Sequence, residues 1–181
     1  MSLPPLYISV LIIFILLGFL FALKKSTKKE KRSHKWRKES AKKTLQKIQH
    51  MENPQIFSYL RKVDPFVFEE MILEVFRNDE RCKVVESDRY TGDGGIDGEF
   101  IFNKNGKKMR IIIQAKRYNG HINIEHVKEF CKLLQNKKYD KGFFIHTGKT
   151  GSGSKQEINR CNGLELISGS KLINLLKYRK F

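Results

Sequence analysis

Residues 91–118, TGDGGIDGEFIFNKNGKKMRIIIQAKRY, carry the strongest indication of how this chain folds. The stretch opens with a glycine-rich bend, and from Ile96 to Phe102 the residues alternate with the period of a β-strand. Asn105–Gly106 is a dipeptide that favours a hairpin turn. The return strand, about 109–116, contains three consecutive isoleucines, which indicates a central strand buried on both faces. This stretch therefore predicts a β-hairpin in the middle of a sheet.

Helices and strands alternate on both sides of this hairpin. Asn53–Pro54 and Asp64–Pro65 each combine an N-cap residue with a proline at the first helical position, which predicts two helices. Apolar spacing predicts the later elements: a helix at 123–136, a strand at 142–147, a short helix, a strand at 164–167 and a helix from Ser170. The order helix, three strands, helix, strand, helix, strand, helix is typical of an α/β domain with a mixed sheet.

The charge of the chain points to a polyanionic partner. The formal net charge is +17, from 36 Lys and Arg against 19 Asp and Glu. Residues 24–50 hold 12 of the basic residues and two acidic ones, while residues 51–181 hold the other 24 basic and 17 acidic residues. The predicted domain is therefore basic in its own right, which favours nucleic acid or an acidic lipid surface as its partner.

The cysteines exclude two kinds of stabilisation. There are three of them, Cys82, Cys131 and Cys161, and no two form a CxxC pair. An odd and scattered set argues against a disulfide framework and fits a reducing compartment. It also argues against a zinc site, because the histidines supply no matching paired spacing.

The N-terminal region predicts a membrane anchor. Residues 6–23 are free of charge, and this length suits one transmembrane helix. A cleaved signal peptide is the alternative, but the flank MSLPP before the apolar run has no Lys or Arg. Lys24 and Lys25 follow the run, so by the positive-inside rule we expect the N-terminus outside and the following domain in the cytoplasm. The predicted division is an anchor at 1–23, a basic helical linker at 24–63 and a folded domain at 64–181.

The basic linker has two interpretations. Its lysines and arginines can lie against anionic lipid headgroups, each contributing about 1 kcal/mol. Alternatively, the segment binds DNA. We interpret it as a lipid-facing or solvated basic helix.

Three residues of the hairpin carry candidate chemistry. Gln114 and Lys116 lie two apart on the return strand, so their side chains share a face. Asp97 lies on the paired strand, from which a carboxylate can meet them across the ladder. A charged side chain beside the buried isoleucines is costly without a partner, and a cation beside a carboxylate-bound metal offsets that cost. The alternative for Asp97 is a turn-forming role among the glycines.

Five blocks carry a resemblance to a known family. In chain order they are Phe68–Glu69, GDGGIDG at 92–98, QAKRY at 114–118, FFIHTG at 143–148 and LISG at 166–169. Over residues 65–178 the chain resembles Mrr-type (type IV) restriction endonucleases, and GDGGIDG and QAKRY are the specific blocks. The resemblance implies a restriction-endonuclease-like α/β fold, a mixed β-sheet flanked by helices, here preceded by the transmembrane helix. It also implies the PD-(D/E)xK nuclease superfamily, in the variant with Gln at the second acidic position.

The resemblance further implies roles for single residues. Asp97 matches the metal-binding aspartate, Gln114 the variant acidic position and Lys116 the catalytic lysine. Glu69 matches the helical glutamate that helps to hold the metal or its water. The metal, Mg²⁺ or Mn²⁺, would take oxygen ligands from Asp97, Glu69, Gln114 and the backbone carbonyl of Ala115.

The remaining candidates are weaker. Asp93, in the same glycine-rich loop, is either a secondary site residue or a turn former. Arg117, Lys149 and Lys155 could contact DNA phosphates, although any basic face would carry such residues. The histidines after residue 120 are interpreted as incidental to catalysis.

The function implied is a metal-dependent endonuclease that hydrolyses DNA phosphodiester bonds, in restriction or defence against foreign DNA. The partners expected are DNA, membrane lipid through residues 6–23 and the basic linker, and a second copy of the chain, since many relatives cut as dimers. Two departures from the family matter: a neutral Gln114 weakens the charge that holds a metal, and an anchor with a basic linker stands where relatives commonly carry a recognition domain. The alternatives are a membrane-anchored DNA-binding module without significant turnover, and a structural membrane protein with a basic stalk.

Overall fold

The computed structural model describes residues 33–86, 95–135 and 138–181. The chain divides into one unit of residues 1–37 and a second, compact unit of residues 38–181. All the strands and all the candidate site residues that are described belong to the second unit.

Six helices and five strands make up the described part of the chain. Helix α1 comprises residues 33–49. Its residues 33–37 belong to the first unit and the rest belong to the second. The helices that follow are α2 (Asn53–Leu60), α3 (Pro65–Arg77), α4 (Ile124–Gln135), α5 (Ser152–Arg160) and α6 (Gly169–Tyr178). The strands are β1 (Cys82–Val84), β2 (Gly98–Lys104), β3 (Lys107–Lys116), β4 (Lys141–His146) and β5 (Leu164–Ile167).

The five strands form one mixed sheet in the order β1-β2-β3-β4-β5. β2 pairs antiparallel with both β1 and β3, whereas β4 runs parallel to β3 and to β5. Strand β3 is therefore central, with a hairpin partner on one side and a parallel partner on the other. The prediction of an α/β domain with a mixed sheet and a central isoleucine strand is confirmed.

Two apolar layers cover the faces of the sheet. Ile111, Ile113 and Ala115 pack with the buried residues of α3 and α6 on one face, together with buried residues of α1 and α2. Ile112 and Phe144 pack on the other face with α4 and with Cys161 at the end of α5. Because successive residues of a strand point to opposite faces, the three isoleucines of β3 contribute side chains to both apolar layers.

Local signals set the ends of the elements around the hairpin. The Asp64 carboxylate accepts hydrogen bonds from the backbone N–H groups of Phe66 and Val67, which caps α3. Asn105 and Gly106 both have positive φ, 52° and 84°, as a type I′ hairpin turn requires. The start of α2 differs from the prediction by one residue, because Glu52 and not Asn53 occupies the N-cap position.

Part of the predicted linker is packed into the compact unit. Ala41 and Ile48 of α1 and Ile56 and Leu60 of α2 are fully buried in the same layer as α3. Within the segment 24–63, most of the described residues are helical, and residues 38–63 lie in the unit that holds the sheet. The functional division at residues 23 and 63 stays a prediction.

The predicted transmembrane helix at 6–23 lies outside the described residues. Among the helices of residues 33–86, 95–135 and 138–181, none is long and apolar enough to cross a membrane.

Candidate active site

Asp97 lies immediately before β2 and contacts the end of β3. Its backbone N–H donates to the Ile113 carbonyl over 2.8 Å, which fixes the residue beside the central strand. One carboxylate oxygen, Oδ2, accepts from the Ala115 N–H at 2.8 Å and lies 3.4 Å from the Lys116 Nζ. The structure thus brings together Asp97, Ala115 and Lys116, three of the residues that the sequence singles out.

The charges of this pair are only partly open to water. The side chain of Asp97 is 14% exposed and that of Lys116 is 31% exposed. Burial raises the pKa of the Asp97 carboxyl, while the Lys116 ammonium and the Ala115 N–H oppose that rise. The second carboxylate oxygen, Oδ1, accepts no hydrogen bond from the described residues. The carboxylate therefore has one oxygen held by the protein and one available to a ligand.

Gln114 presents a buried oxygen that has no partner. The residue is 4% exposed, and its Oε1 makes no hydrogen bond within the described part of the chain. Gly95 lies against the amide, since a Cβ at that position would meet Nε2 at 2.9 Å. Gly95 also has φ of +102°, a conformation that side chains disfavour. A buried acceptor without a donor costs folding free energy. A group that accepts from or coordinates a ligand is expected to be in this state before the ligand binds.

Glu69 lies on the helix that packs over β2. Further along that helix, the ring of Phe76 stacks on the ring of Phe100 of β2, with the two ring centroids 4.2 Å apart. A Cβ on Gly98 would meet the Leu73 side chain at 2.4 Å. Helix α3 and strand β2 therefore run in the same direction, so earlier residues of α3 lie near earlier residues of β2. Glu69 is one turn before Leu73 on the same helix face, so the half-buried Glu69 lies toward the end of β2 that carries Asp97. α3 packs on the face opposite to the one that Gln114 shares with Ile112.

The weaker candidates occupy separate positions. Arg117 follows β3 directly and donates from Nη1 to the Arg61 carbonyl at 2.8 Å. Lys149 is exposed, and its backbone bonds to Gly120 and Ile122 join the segments that follow β3 and β4. Lys155 is exposed on α5. Asp93 lies outside the described residues.

The sequence did not identify two residues near the site as important. Arg61 donates from Nη2 to the Thr147 carbonyl at 3.2 Å, and a single arginine between two helices gives no pattern that would have singled it out. His146, interpreted as incidental, is fully buried and accepts the Gly148 N–H at Nδ1 over 3.1 Å. Burial lowers the pKa of His146 to about 4, so the imidazole is neutral and supports the loop after β4.

The donor atoms at this site suit a hard cation. In the part of the chain that the structure describes, no three His, Cys, Asp or Glu side chains are grouped so as to hold a metal. The oxygens on offer are Oδ1 of Asp97, the orphan Oε1 of Gln114 and the Ala115 carbonyl. In an extended strand a residue's N–H and C=O point to the same side, so the Ala115 carbonyl is directed to the side on which Asp97 lies. Oxygen ligands of mixed type are those that Mg²⁺ accepts when waters complete its shell.

Comparison with known proteins agrees with this fold. A family model for restriction endonucleases, Mrr_cat, matches residues 60–176. The type IV methyl-directed restriction enzyme EcoKMrr of Escherichia coli (strain K12) is 28% identical over 129 residues, which cover 67% of this chain and 41% of that protein. The solved structure of the DNA modification-dependent restriction endonuclease AspBHI has a TM-score of 0.51 at 18% identity, covering 72% of this chain and 37% of the other.

The two relatives and the family model support different conclusions about the chain. The chain spans less than half the length of either one. The likeness to AspBHI concerns the fold, a restriction-endonuclease-like arrangement of a mixed five-stranded sheet and helices. The family model covers well over half of the chain and contains every described residue of the candidate site. The chain therefore belongs to the Mrr_cat family of restriction endonuclease domains.

Proposed function

We propose that this protein is a divalent-metal-dependent DNA endonuclease, a hydrolase of phosphodiester bonds. The observation that carries the proposal is the Asp97 carboxylate, which binds the Ala115 N–H and the Lys116 ammonium with one oxygen, while its other oxygen accepts no hydrogen bond from a described residue. An acid beside a partly exposed cation, next to a Gln114 amide oxygen that has no partner among the described residues, is an arrangement typical of catalytic sites.

The metal we propose is Mg²⁺, with Mn²⁺ as a substitute. Asp97, Gln114 and the Ala115 carbonyl would hold it, and Glu69, whose helix packs on the other face of the sheet from Gln114, would contribute through a water. When bound, such an ion polarises the scissile phosphate and lowers the pKa of a bound water.

Lys116 would act on the reacting phosphate. Its ammonium is held at 3.4 Å from Asp97 and is 31% exposed, so it is oriented by the carboxylate yet open to a ligand. There it would orient the attacking water and offset the negative charge that builds on phosphorus. The N–H of Ala115 keeps the carboxylate in place while Lys116 moves toward the phosphate.

The biological setting is proposed from the relatives and from the N-terminal sequence. EcoKMrr is a methyl-directed restriction enzyme and AspBHI depends on DNA modification, which supports DNA as the substrate and defence against foreign DNA as the role. We propose that residues 6–23 tether the protein to a membrane with the nuclease domain in the cytoplasm. The basic segment after them would lie on anionic lipid, and two copies of the chain could pair to cut both strands.

The test uses the full-length chain in detergent with supercoiled and linear DNA, methylated and unmethylated. Nicking or cutting is followed with Mg²⁺, with Mn²⁺ and with EDTA, beside the Asp97→Ala and Lys116→Ala variants. Metal-dependent cutting that both substitutions abolish is the expected result. Cutting that persists in both folded variants would place the chemistry elsewhere.

One observation favours a second function, a tethered DNA-binding module without turnover. Gln114 is neutral where a second carboxylate would strengthen metal binding, and the described residues hold no three-residue acidic or histidine cluster. Binding to DNA without cutting any of these substrates, with either metal, would make this module the better account.

A further inference from the structure

Two arginines are locked together at the end of the central strands. Arg117 donates from Nη1 to the Arg61 carbonyl at 2.8 Å, and Arg61 donates from Nη2 to the Thr147 carbonyl at 3.2 Å. The contacts join three segments: the residues that follow β3, the connection between α2 and α3, and the residues that follow β4. Both guanidinium groups are thus positioned by backbone carbonyls and not by acids.

These arginines lack the counter-charge that other arginines of the fold have. Arg77, Arg81 and Arg110 each bind at least one carboxylate. No carboxylate within the described residues forms an ion pair with Arg61 or Arg117, and the Nε of each is buried without a hydrogen-bond acceptor. A buried cationic donor without an anion is costly, so an anion from outside the chain would relieve both groups.

The remaining hydrogen-bonding capacity points the same way. A guanidinium offers five N–H donors, and each of these two has one terminal nitrogen bound to a carbonyl. The other terminal nitrogen, Nη1 of Arg61 and Nη2 of Arg117, makes no hydrogen bond to a described residue and is not among the buried unpartnered atoms. Each arginine therefore keeps a terminal amino group available to a ligand.

The pair is adjacent to the proposed reaction centre. Arg117 follows Lys116 in the chain, and Thr147 follows His146, which pairs with Lys116 across β3 and β4. Ligands of open α/β sheets bind beyond the carboxyl ends of parallel strands, which is where these residues lie. Lys116 binds Asp97 while Arg117 binds the Arg61 carbonyl, so the two side chains have different partners and we expect them to bind different anions.

We propose that Arg61 and Arg117 form a clamp for a DNA backbone phosphate that neighbours the scissile one. The inference rests on the proposed function in that it takes DNA as the ligand. A nucleic-acid strand carries one charge about every 3.4 Å of helix rise, so a strand with one phosphate at Lys116 brings others past Arg117, the residue that follows β3. The planar fork of arginine suits phosphate oxygens, and such a contact fixes the register of the strand without reading its sequence.

The experiment measures binding and not cutting. The full-length chain in detergent is titrated against a fluorescent DNA duplex in EDTA, by anisotropy at several KCl concentrations. Arg61→Ala and Arg117→Ala are compared with the wild type and with Arg160→Ala, which removes an exposed arginine at the end of α5, away from the carboxyl ends of β3 and β4. Thermal melting confirms that each variant is folded.

The clamp predicts a change in the salt dependence. Each alanine variant of the pair should bind about tenfold more weakly or worse, and the slope of log K against log salt should fall by about 0.9 per lost phosphate contact. Arg61→Lys and Arg117→Lys keep the charge, so they should retain the wild-type slope, and Arg160→Ala should match the wild type. The lysine variants also serve if an alanine variant fails to fold, because a lysine slope below the wild-type one would contradict a charge-based contact.

The outcomes separate this inference from the proposed function. Folded Arg61→Ala and Arg117→Ala proteins with the wild-type slope would overturn the clamp, whether or not the wild type cuts DNA. An arginine-dependent slope in a protein that never cuts would uphold the clamp and count against the endonuclease.

Discussion

The ammonium of Lys116 lies 3.4 Å from the same carboxylate oxygen of Asp97 that accepts the Ala115 N–H at 2.8 Å. This shared oxygen couples the two residues that the proposed chemistry needs, and within residues 33–86, 95–135 and 138–181 nothing donates a hydrogen bond to the other oxygen of Asp97. The ion pair is only partly exposed to water, so the attraction between the two charges is offset by the cost of removing them from water. Its purpose is positional.

Substitutions at this pair should reduce cutting and spare folding. Lys116→Ala removes the cation that faces the phosphate, so we expect cleavage to fall by about a hundredfold or more with little change in melting temperature. Asp97→Asn keeps the shape but not the charge and should have a similar effect on cleavage. Initial rates on plasmid DNA with Mg²⁺, beside calorimetric melting, measure both. Lys107→Ala, an exposed lysine at the far end of β3, is the control and should cut as the wild type does.

Gln114→Glu should strengthen metal binding. The substitution places a second carboxylate beside Asp97, and added ligand charge raises the affinity of oxygen sites for divalent ions. In EDTA the variant should melt below the wild type, because a buried carboxylate next to another is costly without a cation. Added Mn²⁺ should then raise its melting temperature more than it raises that of the wild type.

The control for this change is Gln135→Glu at the exposed end of α4. It adds the same charge on the surface, so its melting temperature should respond to Mn²⁺ as the wild type does. An equal metal response in all three proteins would argue against a metal at Gln114.

Gly98→Ala should destabilise the fold through one contact. A Cβ at this position would meet Leu73 Cδ2 at 2.4 Å, so the buried Leu73 side chain would have to shift, or helix α3 would have to move from β2. Overpacking of this kind costs about 1–3 kcal/mol, and the shift would displace the neighbouring Asp97 and lower cleavage. Urea unfolding of Gly98→Ala, Leu73→Ala and the double variant measures the coupling. The double variant should be more stable than the sum of the single effects predicts, while Gly120→Ala, with open space around it, should be nearly neutral.

Much of this arrangement was predictable from local sequence signals. The Asn105–Gly106 turn and the isoleucine run fix the hairpin, and the hairpin register brings the residue before Gly98 to the end of β3, where Lys116 lies. Such short-range pairing needs only the period of the strands and the turn chemistry. The Asp97–Lys116 contact therefore followed from the sequence, although its distance did not.

Other parts depend on contacts far apart in the sequence. Residues 38–49 are rich in lysine and resemble a solvated linker, yet a narrow stripe of Ala41, Thr44 and Ile48 is buried. Three buried positions among many charges give only a weak periodic signal. Arg61 meets Thr147 from 86 positions away, and no local pattern reports a bond of that kind.

Arg77→Leu should be among the most destabilising single substitutions in α3. The guanidinium of Arg77 binds Glu70 at 3.0 Å, Glu74 at 2.8 Å and Glu86 at 2.9 Å. Glu70 is 1% exposed and Glu74 7% exposed, so removing the cation leaves two buried carboxylates without it. The expected loss is about 3–5 kcal/mol in urea unfolding. Arg160→Leu, at an exposed position, should change the free energy of unfolding by less than about 0.5 kcal/mol, and equal losses would contradict this account.

His146 should make the fold sensitive to acid. Burial lowers its pKa from 6.5 to about 4, so the folded protein holds the imidazole neutral while the unfolded chain protonates it below about 6.5. Between these two values the unfolded state binds more protons than the folded state, and stability therefore falls as the pH falls. The contribution of a neutral His146 is fully present above 6.5 and is lost as the pH approaches 4.

Melting temperatures from pH 8 to pH 4 test this, with His146→Gln beside the wild type. At pH 8 the wild type should melt higher, by on the order of 5 °C, because the imidazole holds Gly148 and lies 3.3 Å from the Thr150 hydroxyl. That difference should shrink steadily below pH 6.5, since glutamine carries no proton. His50→Gln removes an exposed imidazole and controls for the loss of a histidine as such. A difference between wild type and His146→Gln that stays constant over this range would mean that His146 is protonated equally in both states.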